Sequence, residues 1–355
     1  MEGSQTSISI SVILPCRNEE KTVGECIQKI RKAFENEGIS GEIIVSDSSN
    51  DGSADIAKEL GAIVVRHGKE GYGYAYQEGF KASKGDIIII GDADGTYDFS
   101  EIPKLLSKSE GNDLVIGSRL KGDIKKGAMP WHHRYIGNPV LSMLLRVLFR
   151  SRVSDTQSGF RLVKRKAWEK LSLHTTGMEF ASEMIIRAGM KGLRVAEVPI
   201  TYYPRKIGSK SKLRSFRDGW KHLRFMMLYS PSLIFLFPGL LLLIAGLAML
   251  FLFSNLLNPL LSSLLIILSY QVIMLSVFAK TYASVHLGQR SRLVDLMNRH
   301  LSLERGMLLG LAFLAAGSVM MIMYDIRLPS LVVLVMGLQT FFSAFFLSII
   351  GIEER

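Results

Sequence analysis

Four stretches of this chain carry no charged residue: 231–253, 256–279, 306–324 and 328–352. Each is near or above the ~18 apolar residues that mark a membrane-spanning helix. They predict four spans, arranged as two hairpins. The 355 residues are enough for about two domains. The hydrophobic share, 48% overall, is concentrated after about Tyr229. Between the second and third spans, residues 280–305 carry Lys280, Arg290, Arg292, Arg299 and Arg305 against Asp295 and Glu304. The connections around Asn255 and around Asp325 carry almost no net charge. Lysine and arginine gather on the cytosolic side of membranes. The loop 280–305 with Gln289, and the tail 353–355, are therefore expected inside, and Asn255 and Asp325 outside. Residues 1–7 are short and polar, so no signal peptide is expected ahead of the first strand. The N-terminal domain is accordingly expected in the cytosol, and the chain in a cell membrane, that of a prokaryote.

The part before the spans reads differently. Short β-branched runs at Ser9–Leu14, Glu42–Ser46, Ala62–Arg66 and Asp86–Ile90 alternate with helical patterns at Thr22–Phe34, Ser53–Leu60 and Tyr74–Ala82. That alternation predicts a parallel sheet with helices on both faces. Such sheets bind ligands outside the carboxyl ends of their strands. Three polar clusters fall there: Pro15–Glu19, Asp47 and Asp92–Asp94. The glycines of "GKEGYGYAYQEGF" invite a dinucleotide reading, but Tyr76 breaks the pattern and the stretch follows the third strand. A tight turn beside a bound nucleotide is the expected role. Cys16 and Cys26 form no metal motif and suit a reducing compartment.

Asp92 and Asp94 close a buried isoleucine run, "IIIIGDADG". Two carboxylates so close repel unless a cation lies between them. Carboxylates on a rigid strand end suit Mg²⁺ or Mn²⁺, which keeps open positions for phosphate oxygens. Asp98 or Ser100 is expected to cap the next helix.

The net charge is +11. It fits an anionic membrane or substrate better than nucleic acid, because much of it lies beside the first span. Lys206, Lys210, Lys212, Arg214, Arg217, Lys221 and Arg224 crowd one segment, through which Leu213, Phe216, Trp220, Leu223 and Met227 recur at helical spacing. A basic amphipathic helix over 213–229, at the level of the lipid headgroups, is expected. Residues 135–149 contain only Arg146 as a charge and read equally as a second interfacial helix or a buried core helix. Glu179 and Glu183 lie four apart, on one helix face. They would hold sugar hydroxyls, supply a base, or simply be solvated. His132 and His133, being adjacent, point apart and make a poor metal pair.

In order, "SVILPCRNEE", "VSDSSNDGS", "GDADGTYDFSEIP", "VIGSR" and "DTQSGFR" resemble a family 2 glycosyltransferase of the GT-A fold. More narrowly they resemble the dolichyl- or polyprenyl-phosphate hexose synthases. The similarity runs from Ile8 to about Leu213. It implies an α/β, Rossmann-like GT-A domain over 1–212, the amphipathic helix 213–229, and a four-helix membrane domain over 230–355. It implies a nucleotide-sugar donor, a polyprenyl or dolichyl phosphate acceptor, and Mg²⁺ or Mn²⁺ held by Asp92 and Asp94. Pro15, Arg17, Glu19 and Asp47 would hold the nucleoside. Arg119, Arg134 and Asn138 would hold the lipid phosphate. Gln157, Glu179 and Glu183 would lie on the substrate side, and Arg205, Ser211 and Lys212 on a loop closing over the diphosphate. Thr96 stands where mannose synthases carry a glutamine that also contacts the metal, so no third protein ligand is assigned. Self-association stays open.

The chemistry implied is direct displacement at the anomeric carbon, with inversion. A phosphate monoester has a second pKa near ~6 and is already largely ionised, so it needs no general base. A processive or other hydroxyl-acceptor synthase is the alternative. It would use Glu183 or Asp155 as base, but the QxxRW arrangement of processive enzymes is missing at Gln157–Arg161. A transporter would need more polar residues in its spans than Gln271 and a few others. A sugar nucleotidyltransferase would need a Gly-rich loop with a lysine after the first strand. The donor, UDP- or GDP-linked, stays open, with a lean to UDP.

Overall fold

The computed structural model describes residues 9–149, 151–206, 215–252, 259–286, 294, 296, 302–323 and 327–351. The chain divides into two compact units, Met1–Met226 and Met227–Arg355.

Seven strands run through the first unit: β1 (Ile10–Cys16), β2 (Gly41–Asp47), β3 (Ile63–Arg66), β4 (Ile87–Ile90), β5 (Leu114–Ile124), β6 (Arg161–Lys164) and β7 (Val195–Tyr202). They form one sheet in the order β3-β2-β1-β4-β6-β5-β7. β1, β2, β3 and β4 are mutually parallel, whereas β6 runs antiparallel to both β4 and β5. The sheet is buried because its central strands are nearly all Ile, Val and Leu. Val12, Ile13, Leu14, Ile44, Val45, Ile88 and Ile89 are wholly shielded from solvent. Strands so apolar on both faces need helices on both faces. One of these helices, α1 (Val23–Glu37), buries Val23, Ile27, Ile30 and Phe34, and ends at Gly38 in the left-handed conformation.

The register sets the site. Cys16 pairs with Asp47, and Ile13 with Ile90. The ends of β1, β2 and β4 thus share one edge, where the three polar clusters stand. Cys16 and Cys26 are free and buried, and burial pushes both thiols up to about 12. Neither is a nucleophile at neutral pH.

Further helices of this unit are α2 (Ser53–Glu59), α3 (Tyr72–Ala82), α4 (Ile102–Leu106), α5 (Asn138–Phe149), α6 (Arg165–Leu171) and α7 (Phe180–Met190). A last one, α8 (Ser215–Leu228), covers most of the expected amphipathic segment. Its outer residues Phe216 and Trp220 are exposed, and its inner face buries His222, whose Nδ1 lies 2.8 Å from Ser182 Oγ of α7. Burial holds the His222 imidazole down from 6.5 to about 4. The sign follows from linkage: the unfolded chain takes up a proton at this residue near 6.5, and the folded chain only near 4. Stability is therefore full above about pH 6.5 and falls as the pH drops from 6.5 to 4. At 1.36 kcal/mol per pH unit the loss is on the order of 3 kcal/mol. Thermal unfolding of the intact protein at pH 7 and at pH 4.5 should show this drop, and His222→Asn should remove most of it.

The described helices of the second unit include α9 (Phe237–Leu252), preceded by a π-helical turn at Ser232–Leu236, α10 (Pro259–His286), α11 (Leu303–Met323) and α12 (Arg327–Ile350). Among the described residues, four segments are long and apolar enough to cross a membrane: Ser232–Phe251, Pro259–Val285, Leu303–Met323 and Arg327–Ile350. α9 packs on α10 and α11 on α12, each pair a hairpin. Small residues allow the close approach. A Cβ on Gly310 would come 2.7 Å from the Phe341 backbone nitrogen, and one on Gly337 2.8 Å from that of Leu314. Tyr270 of α10 and Thr340 of α12 share a hydroxyl hydrogen bond of 2.5 Å. Asn255, Gln289, Asp325, most of the loop 280–305 and the tail 353–355 lie outside the described residues.

Candidate active site

Asp92 and Asp94 follow β4 at the shared strand edge. Asp94 is buried, and its Oδ1 accepts hydrogen bonds from the Thr96 backbone amide (3.0 Å) and the Thr96 hydroxyl (2.6 Å). Thr96 thus orients Asp94, and its hydroxyl hydrogen is occupied there. The other oxygen, Oδ2, forms an ion pair with the Arg205 guanidinium. Arg205 Nη1 is buried with no hydrogen-bond partner among the described residues. Asp92 is half-buried. The Tyr76 hydroxyl, wholly buried on α3, donates to its Oδ1 at 3.3 Å. Burial and, after it, the Asp94 charge push the Asp92 carboxyl up to about 7. The repulsion expected from sequence is thus present; Arg205 pairs directly with Asp94, and its charge offsets only part of the upward push on Asp92. The donor set fits a hard divalent cation: two carboxylates at the end of β4, one half-buried and one buried, whose mutual repulsion a cation would offset. Among the described residues no three His, Cys, Asp or Glu side chains come together as a metal cluster.

The wall of this site also comes from residues that sequence reading did not single out. Tyr72 and Tyr76 meet edge to face, with ring centroids 4.9 Å apart. Gly159 faces them: a Cβ there would come 2.6 Å from the Tyr72 hydroxyl and 3.1 Å from Asp92 Oδ2. Its backbone amide donates to the Tyr97 hydroxyl at 2.7 Å. Arg161 is fully buried and donates to the backbone carbonyls of Thr156, Ser158 and Ala181. It pins the loop carrying Gln157 and Gly159 against α7. The "QSGFR" spelling contained both residues, but nothing local distinguished them.

At the nucleoside side, Pro15 lies in β1 opposite Ser46 of β2. Asp47 is buried. Ser49 donates to its Oδ1, its Oδ2 has no hydrogen bond among the described residues, and Arg66 Nε lies 3.8 Å away. Arg17 is exposed and pairs with Glu70 at 2.5 Å. Glu19 is buried, and its backbone amide donates to Ser53 Oγ. The backbone between them turns at Asn18, which has a φ of 53°.

Three expectations are corrected here. Arg119 is buried, and its guanidinium donates twice to Asp155, each at 2.8 Å, while its backbone amide donates to the same carboxylate. Its charge is matched inside the protein, and it lies over the Tyr202 ring at 5.2 Å. It does not present a free fork to a lipid phosphate. Glu183 is wholly buried and accepts from the backbone amides of His174 and Thr175, the Thr175 hydroxyl and Arg187 Nε. A carboxylate with that many donors anchors the loop before α7 and is neither sugar ligand nor base. Of the glycines expected in a tight turn, Gly73 and Gly79 lie inside α3 instead, whereas Gly68 and Gly71 precede the helix and Gly71 has a φ of 155°. Gly73 lets the helix meet that same loop, since a Cβ there would come 2.3 Å from the Thr175 carbonyl oxygen.

Glu179 differs from Glu183: its Oε2 is buried with no hydrogen-bond partner among the described residues. Gln157 Nε2 donates to Thr156 Oγ1 and Ser182 Oγ, each at 3.2 Å. Arg134 lies over the Tyr135 ring at 5.4 Å, and Asn138 Nδ2 reaches Met129 Sδ at 3.4 Å. The structure brings Asp92, Asp94 and Arg205 together. Ser211 and Lys212 lie outside the described residues.

Residues 11–172 match the family model described as Glycosyl transferase family 2. The low-salt glycan biosynthesis hexosyltransferase Agl6 of Haloferax volcanii is 40% identical over 326 residues, 88% of this chain and 78% of that protein. A dolichyl-phosphate hexose transferase of the same organism is 31% identical, over 59% of this chain and 89% of its own. Among solved structures, glucosyl-3-phosphoglycerate synthase of Mycobacterium tuberculosis with Mn²⁺, UDP and glucosyl-3-phosphoglycerate superposes with a TM-score of 0.50 at 23% identity, over 62% of this chain and 78% of that one. Mannosyl-3-phosphoglycerate synthase of Rubrobacter xylanophilus gives 0.50 at 22%, over 62% and 73%. These two share the fold. With a GT-A-like sheet, paired aspartates at its carboxyl edge and relatives matched over most of their length, the chain is a glycosyltransferase and belongs to glycosyl transferase family 2.

Proposed function

We propose that this protein transfers a hexose from a nucleotide sugar to a polyprenyl or dolichyl phosphate at a membrane face, with inversion. The observation that carries the reading is the ion pair of Arg205 with Asp94 beside Asp92. An arginine with one buried nitrogen left over, set on an aspartate pair, suits a diphosphate, because its planar fork matches phosphate oxygens. The relative named as a dolichyl-phosphate hexose transferase supports the acceptor class.

Asp92 and Asp94 would hold Mg²⁺ or Mn²⁺, which when bound would neutralise charge on the departing diphosphate. Asp47, with an oxygen lacking a hydrogen bond, and Pro15, Arg17 and Glu19 would hold the nucleoside. Glu179 would orient sugar hydroxyls with Gln157. The acceptor phosphate oxygen would attack the anomeric carbon, forming the new C–O bond as the bond to the diphosphate breaks. Of the carboxylates a hydroxyl acceptor would require as base, Glu183 and Asp155 are each occupied by an arginine. That favours an acceptor already ionised. The lysine and arginine asymmetry of the loops favours a cytosolic catalytic unit.

The reconstituted chain should transfer sugar to phosphorylated polyprenol from one nucleotide sugar in a donor screen, with Mg²⁺ or Mn²⁺, and lose activity in excess EDTA. Arg134→Ala should raise the lipid-phosphate requirement about ten- to hundredfold and leave the donor requirement nearly unchanged. An unchanged dependence on lipid phosphate would remove Arg134 from the acceptor side. Full activity in EDTA would remove the metal.

A further inference from the structure

A relay of hydrogen bonds runs from α8 to the loop that carries Gln157. It starts at His222, whose Nδ1 lies 2.8 Å from Ser182 Oγ of α7. The Ser182 oxygen also accepts from Gln157 Nε2, at 3.2 Å. The same Nε2 donates to Thr156 Oγ1, again at 3.2 Å. Thr156 Oγ1 lies 3.0 Å from Ser142 Oγ of α5, which accepts from the Thr156 backbone amide. Ser142, Thr156, Ser182 and His222 are all buried. Gln157 is half-buried, and Gly159, two residues on, stands against Tyr72 and Asp92.

The hydrogens give this relay a direction. A serine hydroxyl has one hydrogen to donate. The Ser182 oxygen receives the Gln157 amide, so its hydrogen is left for His222 Nδ1. That nitrogen must then carry no proton, and the ring keeps its own on Nε2. Burial holds the imidazole neutral, with the charges of Arg161 and Lys221 acting the same way and Asp218 opposing. A neutral ring in this tautomer is a fixed acceptor. Both Nε2 hydrogens of Gln157 are thereby taken up inside the protein, and the side chain is left with its carbonyl oxygen to offer. A glutamine amide turned end for end has the same shape and the opposite polarity. Gln157 sits between two hydroxyls that could serve either orientation, and His222 is the group that decides between them.

We propose that His222 is a positioning residue for sugar recognition: through Ser182 it locks the Gln157 amide so that Oε1 faces the hexose of the donor and accepts from one of its hydroxyls. The proposal rests on the reading that places Gln157 on the sugar side of the site.

The test begins with the tautomer. The full chain, labelled with ¹⁵N-histidine and held in lipid vesicles, is measured by solid-state NMR at neutral pH. The His222 signals are those lost in His222→Asn. Nδ1 should be unprotonated and Nε2 protonated. A proton on Nδ1 would turn the Ser182 hydroxyl toward Gln157, present the amide nitrogen to the site and overturn the proposal. Donor binding is the second measurement. Dissociation constants of the nucleotide sugar and of its deoxy analogues, each lacking one hydroxyl, are taken with Mn²⁺ present and no acceptor. Wild type should bind one analogue roughly tenfold more weakly than the parent sugar. Ser182→Ala and His222→Leu should lose most of that difference, whereas His222→Asn, which keeps an acceptor near the Nδ1 position, should retain it. In Gln157→Ala the difference should already be gone, and adding His222→Leu should change it no further. A folded His222→Leu or Ser182→Ala protein that discriminates as wild type does would overturn the proposal, as would one that weakens every analogue alike. Should His222→Leu not fold, Ser182→Ala and the tautomer still decide. Neither measurement involves a lipid phosphate, so failure here and failure of the acceptor reading are separate results.

Discussion

Asp94→Asn is expected to lower the rate of sugar transfer by about a thousandfold while the fold survives. Losing one preorganised charge partner at a reacting group removes about a hundred- to a thousandfold, and Asp94 is proposed to serve both metal and Arg205. The fold survives because an asparagine carbonyl can still accept from the Thr96 amide and hydroxyl, which now hold Oδ1. The new amide group then faces the Arg205 guanidinium, donor against donor, where a carboxylate oxygen stands now. Arg205 loses its anchor and the site loses a negative charge in one change. Asp92→Asn separates the two effects. Burial and the Asp94 charge already push Asp92 up to about 7. A neutral residue there relieves repulsion, so the melting temperature should hold or rise while activity falls as far. A rate within tenfold of wild type for either variant, measured at saturating donor, would end the assignment of this pair to the reaction.

What the sequence reveals here is what is local. The isoleucine and valine runs announce β1, β2, β3 and β4, because the inner strands β1, β2 and β4 are buried on both faces and carry few polar residues, while β3, at the sheet edge, keeps the same β-branched run. Asp92 and Asp94 stand out because two carboxylates at the end of such a run are costly without a cation. Contacts between distant segments are not legible in that way. Arg205 meets Asp94, and Gly159 meets Tyr72 and Asp92, only once the sheet is assembled. The role of Gly73 is not legible either, because the loop it admits, around Thr175, is remote in sequence. β6 has four residues and no alternation to betray that it runs against its neighbours. Composition left residues 135–149 between core and interface, since both are apolar; only the exposure of one stripe separates them.

Asp155→Ala alone is expected to destabilise the catalytic unit by about 3–5 kcal/mol, because it leaves Arg119 buried and uncompensated. The double change Arg119→Met with Asp155→Leu should recover part of that loss, since two apolar side chains replace a desolvated pair, while the Arg119 backbone amide loses its acceptor. The recovered protein is the informative one. Arg119 lies against the Tyr202 ring, Tyr202 packs on Tyr97 with centroids 5.3 Å apart, and the Tyr203 amide donates to the Thr96 carbonyl oxygen. The end of β7 is thereby fixed beside Asp94, and Arg205 follows three residues later. If Arg119 acts through this chain, the stable double variant should show a lower turnover at saturating lipid and donor, with the lipid-phosphate requirement nearly unchanged. If Arg119 instead gripped the acceptor, the lipid requirement would rise by the ten- to hundredfold expected of a lost charged contact, and turnover at saturation would be kept. Steady-state kinetics with lipid phosphate and donor varied separately distinguishes a positioning residue from a ligand. A rise confined to the lipid requirement would restore the role that the sequence first suggested for Arg119.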